Sequence, residues 1–197
     1  MGYSIDPISA SCYPGTTVLI NKFDIRDEEK LNEVESVISS ARYAEWLNAP
    51  QSKKFDFEHY KAIHHFLFSD LYDWAGKVRT VNISKKGTHF TPAENIDAQA
   101  ESTFKRLQKM NYFKGLPHNE FVEKIVDFYC VTNDLHPFRE GNGRTQRVFL
   151  TQLIHDAGYR INFADMDTDL LMIATIQSAQ GGVTDLLKQL FGESINA

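Results

Sequence analysis

His136-Pro137-Phe138-Arg139-Glu140-Gly141-Asn142-Gly143-Arg144-Thr145-Gln146-Arg147 separates two apolar helical patterns. The pattern before it ends near Asn133, and the one after it carries Val148, Phe149, Leu150, Leu153 and Ile154 at helical spacing. The stretch therefore reads as a loop followed by the first turn of a helix. Its two neighbours are the elements that must hold it.

Gly141-Asn142-Gly143 can turn successive backbone N–H groups into one concavity, with a helix N-terminus directly behind. Such a place binds phosphate. Arg144 and Arg147 lie three apart in the first turn and project from one face. Their forked, permanently charged donors suit further phosphate oxygens. Cations at a helix N-terminus oppose its dipole, so this placement calls for an anion. Glu140 offers a hard carboxylate for a divalent ion bridging phosphates, as Mg²⁺ is usually held. His136 brings a group whose ordinary pKa of ~6.5 suits general-base work. An anion cradle, a metal carboxylate and a base in one short run specify phosphoryl or nucleotidyl transfer.

Outward from the loop, the spacing predicts helices over Asp27–Trp46, Asp56–Trp74, Ile96–Met110, Asn119–Asn133, Arg144–Ala157, Asp167–Gln180 and Val183–Phe191. In the first, Leu31, Val34, Val37, Ile38 and Ala41 make the apolar face; in the second, Tyr60, Ile63, Leu67, Leu71 and Trp74 do, with Gly76 as the stop. Between Lys77 and Pro92 the period changes. Val78, Thr80 and Asn82, then His89, Phe90 and Thr91, flank Lys85-Lys86-Gly87, which predicts a small hairpin that must lie against the helices. The expected class is all-α, with one two-stranded projection.

The 197 residues are 42% hydrophobic and 24% charged, enough for a sizeable core and unlike a disordered chain. One domain over residues 1–197 is expected, the short polar segment Asn48–Lys54 being the sole plausible seam. A net charge of −5 supplies no footprint for duplex binding, so no direct nucleic-acid partner is expected. Met1–Ala10 lacks the features of a secretory signal, and Asp6 breaks a myristoylation reading of Gly2. No apolar stretch reaches the ~18 residues of a membrane span. Cys12 and Cys130 form no CxxC pair, and Cys130 sits in an apolar run that predicts a buried free thiol. A cytoplasmic protein follows, with delivery into a host cytoplasm as the lesser alternative. A metal hydrolase built on His64, His65, His136 and Glu140 is disfavoured, because adjacent histidines face different sides of a helix. HExxH, Walker A and GxGxxG patterns are all missing from the sequence.

His136–Arg147 resembles the Fic motif, HPFx[D/E]GNGRxxR, without departure. Ile63-His64 through Leu71-Tyr72-Asp73-Trp74-Ala75-Gly76-Lys77-Val78-Arg79 is similar to the family's segment before its target-binding flap, and Asn82–Pro92 to the flap itself. Thr17–Lys22 looks like the lead-in of small bacterial members. The resemblance implies a single Fic domain: a helical bundle around a central motif helix, residues 1–16 as lead-in and 77–92 as β-hairpin flap. It implies AMP transfer from Mg²⁺-bound ATP to a Ser, Thr or Tyr hydroxyl of a target protein. By the same analogy His136 deprotonates that hydroxyl and Glu140 positions Mg²⁺. Asn142 with the amides of Gly141 and Gly143 would hold the α- and β-phosphates. Arg144 would meet the β-phosphate, and Arg147 the γ-phosphate end. Pro137 would shape the turn and Phe138 anchor it. Lys85 and Gln177, the latter placed in a 177–182 loop, would touch nucleotide. Ser84, Thr88, His89 and Phe90 on the flap would bind the target as an added strand.

Many family members carry an inhibitory helix, [S/T]xxxE[G/N], whose Glu pairs with the second motif arginine. No Ser or Thr of this chain has a Glu four residues on. The chain therefore resembles members that are toxins inhibited by a separate small antitoxin, which would present a Glu to Arg147. Two alternatives stand beside this reading: a Fic-fold enzyme transferring another nucleotide or phosphate, and a non-catalytic nucleotide-binding regulator.

Overall fold

The computed structural model describes residues 4–5, 11–48, 54–85 and 87–196. Residues 49–53 of the proposed Asn48–Lys54 seam, the turn residue Lys86 and most of Met1–Ala10, where the signal and lipidation readings fall, lie outside them. The chain folds as helices α1 (Glu28–Asn48), α2 (Phe57–Phe68), α3 (Ile96–Lys109), α4 (His118–Leu135), α5 (Asn142–Asp156), α6 (Thr168–Gly181) and α7 (Asp185–Ser194). Three short strands accompany them: β1 (Ser4–Ile5), β2 (Ile83–Lys85) and β3 (Thr88–His89). The expected all-α class with a small hairpin is what forms.

The helix that follows the motif loop is the centre of the packing. α5 lies between α2 and α4, and α4 also packs against α7. Val148, Phe149, Leu150, Leu153 and Ile154 are all buried. The Phe149 ring meets Phe55, Tyr60, Phe104 and Phe128 at centroid distances of 5.7, 5.3, 5.5 and 5.8 Å, so one side chain ties the segment before α2, α2 itself, α3 and α4 to the motif helix. Truncating a buried Phe typically costs ~3–5 kcal/mol. Phe149→Ala should cost about that in chemical denaturation, and a loss under ~1 kcal/mol would contradict this central position.

Three elements differ from the sequence expectation. The helix expected to run to Trp74 stops at Phe68, and Leu71, Tyr72 and Ala75 are buried in turns instead. The reason is tertiary: Lys22 donates its backbone N–H to Leu71 O at 2.8 Å and its Nζ to Ser69 O at 2.8 Å, taking carbonyls at the helix end. On α1 the buried face is Leu31, Glu35 and Ser39, whereas Val37, expected inside, is 71% exposed and Ala41 is exposed as well. Val78–Asn82 is not strand, because Arg79 within it is drawn inward to three backbone carbonyls.

The hairpin pairs Ser84 with His89 and Lys85 with Thr88, and β1 adds a third strand through Ser4 opposite Ser84 and Ile5 opposite Ile83. The sheet order β1-β2-β3 makes β3 an outer strand. Of the cysteines, Cys12 is the buried one; Cys130, expected buried, is half-buried with Sγ 3.0 Å from Ser178 Oγ, because α4 turns that face toward α6. No described helix is long and apolar enough to cross a membrane.

Candidate active site

α4 ends on His136, whose backbone is left-handed at φ 39° and ψ 59°. That region is strained for a residue with a side chain and persists only where surroundings over-determine it. Here they do. Its N–H donates to Thr132 O at 3.3 Å, and its carbonyl accepts from Arg79 Nε at 2.8 Å. The imidazole stacks on Phe90 with centroids 3.7 Å apart. Nδ1 lies 2.9 Å from Asn133 O. A carbonyl only accepts, so Nδ1 carries the proton and Nε2 is the basic nitrogen. Burial, with the charges of Lys85 and Arg79 behind it, holds the imidazole down to about 3. The ring is a neutral base, oriented on three sides.

The loop after it is pinned residue by residue. Arg79 N–H donates to Pro137 O at 2.9 Å. Phe138 is fully buried, stacked on His64 at 3.8 Å. Asn142 turns its amide inward, Oδ1 accepting from Phe138 N at 2.8 Å and Nδ2 donating to Phe138 O at 2.7 Å. That side chain staples the turn, both of its polar atoms being bonded to Phe138. The Gly141 N–H is likewise engaged, donating to Glu140 Oε1 at 2.9 Å. Gly141 sits at φ 78°, and a Cβ there would stand 2.4 Å from the Phe68 ring. At Gly143 a Cβ would meet only Arg147 Nη1, at 3.5 Å. No side chain caps α5, whose first N–H groups are the ordinary orphans of a helix start.

Glu140 is held from beneath: His64, fully buried, donates Nε2–H to its carbonyl at 2.9 Å while His64 Nδ1 accepts from Gly76 N at 2.8 Å. Burial pushes the Glu140 carboxyl above its ordinary value, and the nearby Glu35 charge adds to the rise. A carboxylate so placed fits a divalent cation, which would offset both effects. Among the described residues there is no group of three or more His, Cys, Asp or Glu that could hold a metal by itself. The remaining oxygens would have to come from phosphate and water.

Arg144 and Arg147 line one cavity of about 510 Å³ together with Ser39, Tyr43, Leu171 and Met172. The shared face expected from their spacing is realised. Arg144 is engaged: Nη1 donates to Ser39 Oγ at 2.9 Å, Nη2 pairs with Glu35, and the guanidinium lies 4.8 Å over the Phe68 ring. Arg147 differs. It is half-buried, burial lowers its pKa from the ordinary value, and among the described residues no carboxylate pairs with it.

The flap expectations divide. Lys85 is near enough to His136 and Glu140 for its charge to lower the pKa of both. Phe90 packs on the base itself. His89 is exposed, Ser84 half-buried and Thr88 buried. β1 already pairs along β2, so among the described strands the open edges for an added strand are the outer sides of β1 and β3. Gln177 lies within α6, exposed, rather than in a loop, because α6 continues to Gly181. It is Gln180 that approaches the flap tip, with Nε2 3.6 Å from where a Gly87 Cβ would stand. Sequence reasoning missed Arg79, Glu35, Ser39 and the support from His64. The available signal for Glu35 and Ser39 was their spacing of four from Leu31 and from each other, polar residues on a buried stripe.

The family model described as "Fic/DOC family" matches residues 54–154. The chain is 37% identical, over 92% of its length, to "Protein adenylyltransferase VbhT" of Bartonella schoenbuchensis, and spans 38% of that longer protein. It is 36% identical to "Probable protein adenylyltransferase y4lH" of Sinorhizobium fredii, covering 94% of both. Among solved structures it superposes on the BepC protein of Bartonella tribocorum with bound AMPPNP, at a TM-score of 0.89 and 29% identity over 94% of this chain and 96% of that one.

Proposed function

Because the chain belongs to the Fic/DOC family, we propose that it is a protein adenylyltransferase, moving AMP from ATP to a hydroxyl of a target protein. The observation that carries this reading is Arg147, a partly desolvated guanidinium without a paired carboxylate among the described residues, at a helix start that no side chain caps. Both features oppose a cation there unless an anion is bound. Arg144, the first motif arginine, lines the same cavity, and a neutral imidazole belongs to the same loop.

In this reading a target Ser, Thr or Tyr hydroxyl gives its proton to His136 Nε2. Its oxygen bonds to the α-phosphorus, and the bond from that phosphorus to the β-bridging oxygen breaks. Pyrophosphate leaves with the electron pair, and the imidazolium later releases its proton to solvent. Arg144 neutralises the β-phosphate, Arg147 the γ-phosphate end, and the N–H of Gly143 with its helix start the α- and β-phosphates. Asn142 and Gly141 act by shaping the turn. Glu140 would hold Mg²⁺, which when bound supplies positive charge to the phosphate oxygens. Lys85 would add charge from the flap, and a target segment would join the sheet at β3 beside Phe90 and His136.

The chain acts as one unit in the cytoplasm, as the toxin of a toxin–antitoxin pair. Its partner antitoxin would place a glutamate against Arg147 in the 510 Å³ cavity, where the described residues supply none. Incubation with labelled ATP and lysate tests the central claim. Label on a protein from α-labelled but not γ-labelled ATP is expected. The reverse would show a phosphate-transferring enzyme, and label from neither a nucleotide-binding regulator.

A further inference from the structure

Glu35 sits near the middle of α1, on the stripe that packs against α2, at 6% exposure. A buried carboxylate is costly unless its oxygens are matched. Both are: Oε1 accepts from Arg144 Nη2 and Oε2 from the hydroxyl of Tyr72, itself 1% exposed. Ser39, one turn on, accepts from Arg144 Nη1. The Phe68 ring lies beneath the guanidinium. An arginine side chain loses rotamer freedom when held in one geometry, and here that ordering is done before any nucleotide arrives. Arg144 has five N–H donors. Those committed to Glu35 and Ser39 leave others on the side that lines the phosphate cavity.

We propose that Glu35 is a positioning residue for the transfer reaction, anchored by Tyr72 and setting Arg144, together with Ser39 and Phe68, in the orientation that meets the phosphates. The proposal rests on the AMP-transfer reading for the reaction it serves. It differs from the family's inhibitory glutamate in arginine and in sense: it grips the first motif arginine, and Tyr72 keeps it from swinging away as a competitor would.

The test is a cycle of Glu35→Ala, Arg144→Ala and the double variant in the full chain, with Glu35→Gln as the conservative replacement. Melting temperature, ADP affinity, and kcat and KM for ATP in AMP incorporation are measured for each. Glu35→Ala should lower kcat ~10–100-fold through misplacement of Arg144. Glu35→Gln, which still offers Arg144 an acceptor, should recover most of it. In the Arg144→Ala background, Glu35→Ala should cost nothing further in rate or ADP affinity, because contacting residues that act through each other are not additive. Additive losses would overturn the proposal by showing an independent, merely structural role. So would a Glu35→Ala enzyme with unchanged kcat and ADP affinity, or one whose defect is cured by added Mg²⁺ alone. If Glu35→Ala does not fold, Glu35→Met, close in size but with no acceptor for Arg144, takes its place in the cycle with Arg144→Ala, read in ADP affinity. A wild-type chain that binds ADP but transfers no α-label would sink the AMP-transfer reading and leave the ADP cycle to judge Glu35.

Discussion

A His136→Ala chain is expected to lose ~10²–10⁴-fold in AMP incorporation while its ADP affinity stays close to that of the wild type. The two arginines and the helix start that would grip phosphate do not depend on the imidazole. The base is set by its surroundings: Nδ1–H on Asn133 O leaves Nε2 as the proton acceptor, and Phe90 fixes the ring plane. Parallel loss of nucleotide binding would mean instead that His136 serves to hold the loop. The pH dependence follows from the same burial. With the imidazole held down to about 3, kcat/KM should show no acid limb near the ordinary histidine value of ~6.5. A limb at ~6.5 in a kcat/KM profile would refute a desolvated base. Stability runs the other way in pH from activity's indifference. His136 and His64 both have folded pKa values lowered to about 3, so between there and ~6.5 the unfolded chain binds more protons. Their contribution is complete above the unfolded value and is lost as pH falls toward the folded one.

Gly141→Ala should be the most damaging single methyl in the loop. A side chain at φ 78° costs ~1–2 kcal/mol, and the added Cβ would stand 2.4 Å from Phe68 Cε2, in a core with no room to retreat. Overpacking of that kind costs a further ~1–3 kcal/mol. Because Phe68 also underlies Arg144, its displacement should carry the motif arginine with it. The variant should lose ~2–5 kcal/mol in denaturation and most of its transfer activity. Gly143→Ala, whose Cβ would meet only Arg147 Nη1 at 3.5 Å, is the control: its stability should stay within ~1 kcal/mol of wild type. Equal losses in the two would show that the Phe68 contact is not what demands glycine.

The motif helix and its neighbours were legible because their apolar residues recur at the helical period, and α3 to α7 begin and end within a few residues of where spacing places them. α2 was read six residues too long, to Trp74 rather than Phe68, since Leu71 and Trp74 keep the helical period while their backbone is in turns held by Lys22. Val37 was assigned inward on hydrophobicity, yet the polar pair Glu35 and Ser39 holds the buried face because Arg144 is there to satisfy it. Gln177 was given both to the Asp167–Gln180 helix and to a 177–182 loop; it is helical, and Gln180 is the residue that approaches the flap tip.

From the sequence alone came the loop, the residue types in it and the shared face of Arg144 and Arg147, since these depend on neighbours within a turn or two. What only the tertiary structure decided is which state those residues occupy. The backbone of His136 held by Arg79 across 57 positions and Arg144 held by Glu35 across 109 are examples. Such contacts join residues remote in the chain through hydrogen bonds and burial, and no local period encodes them.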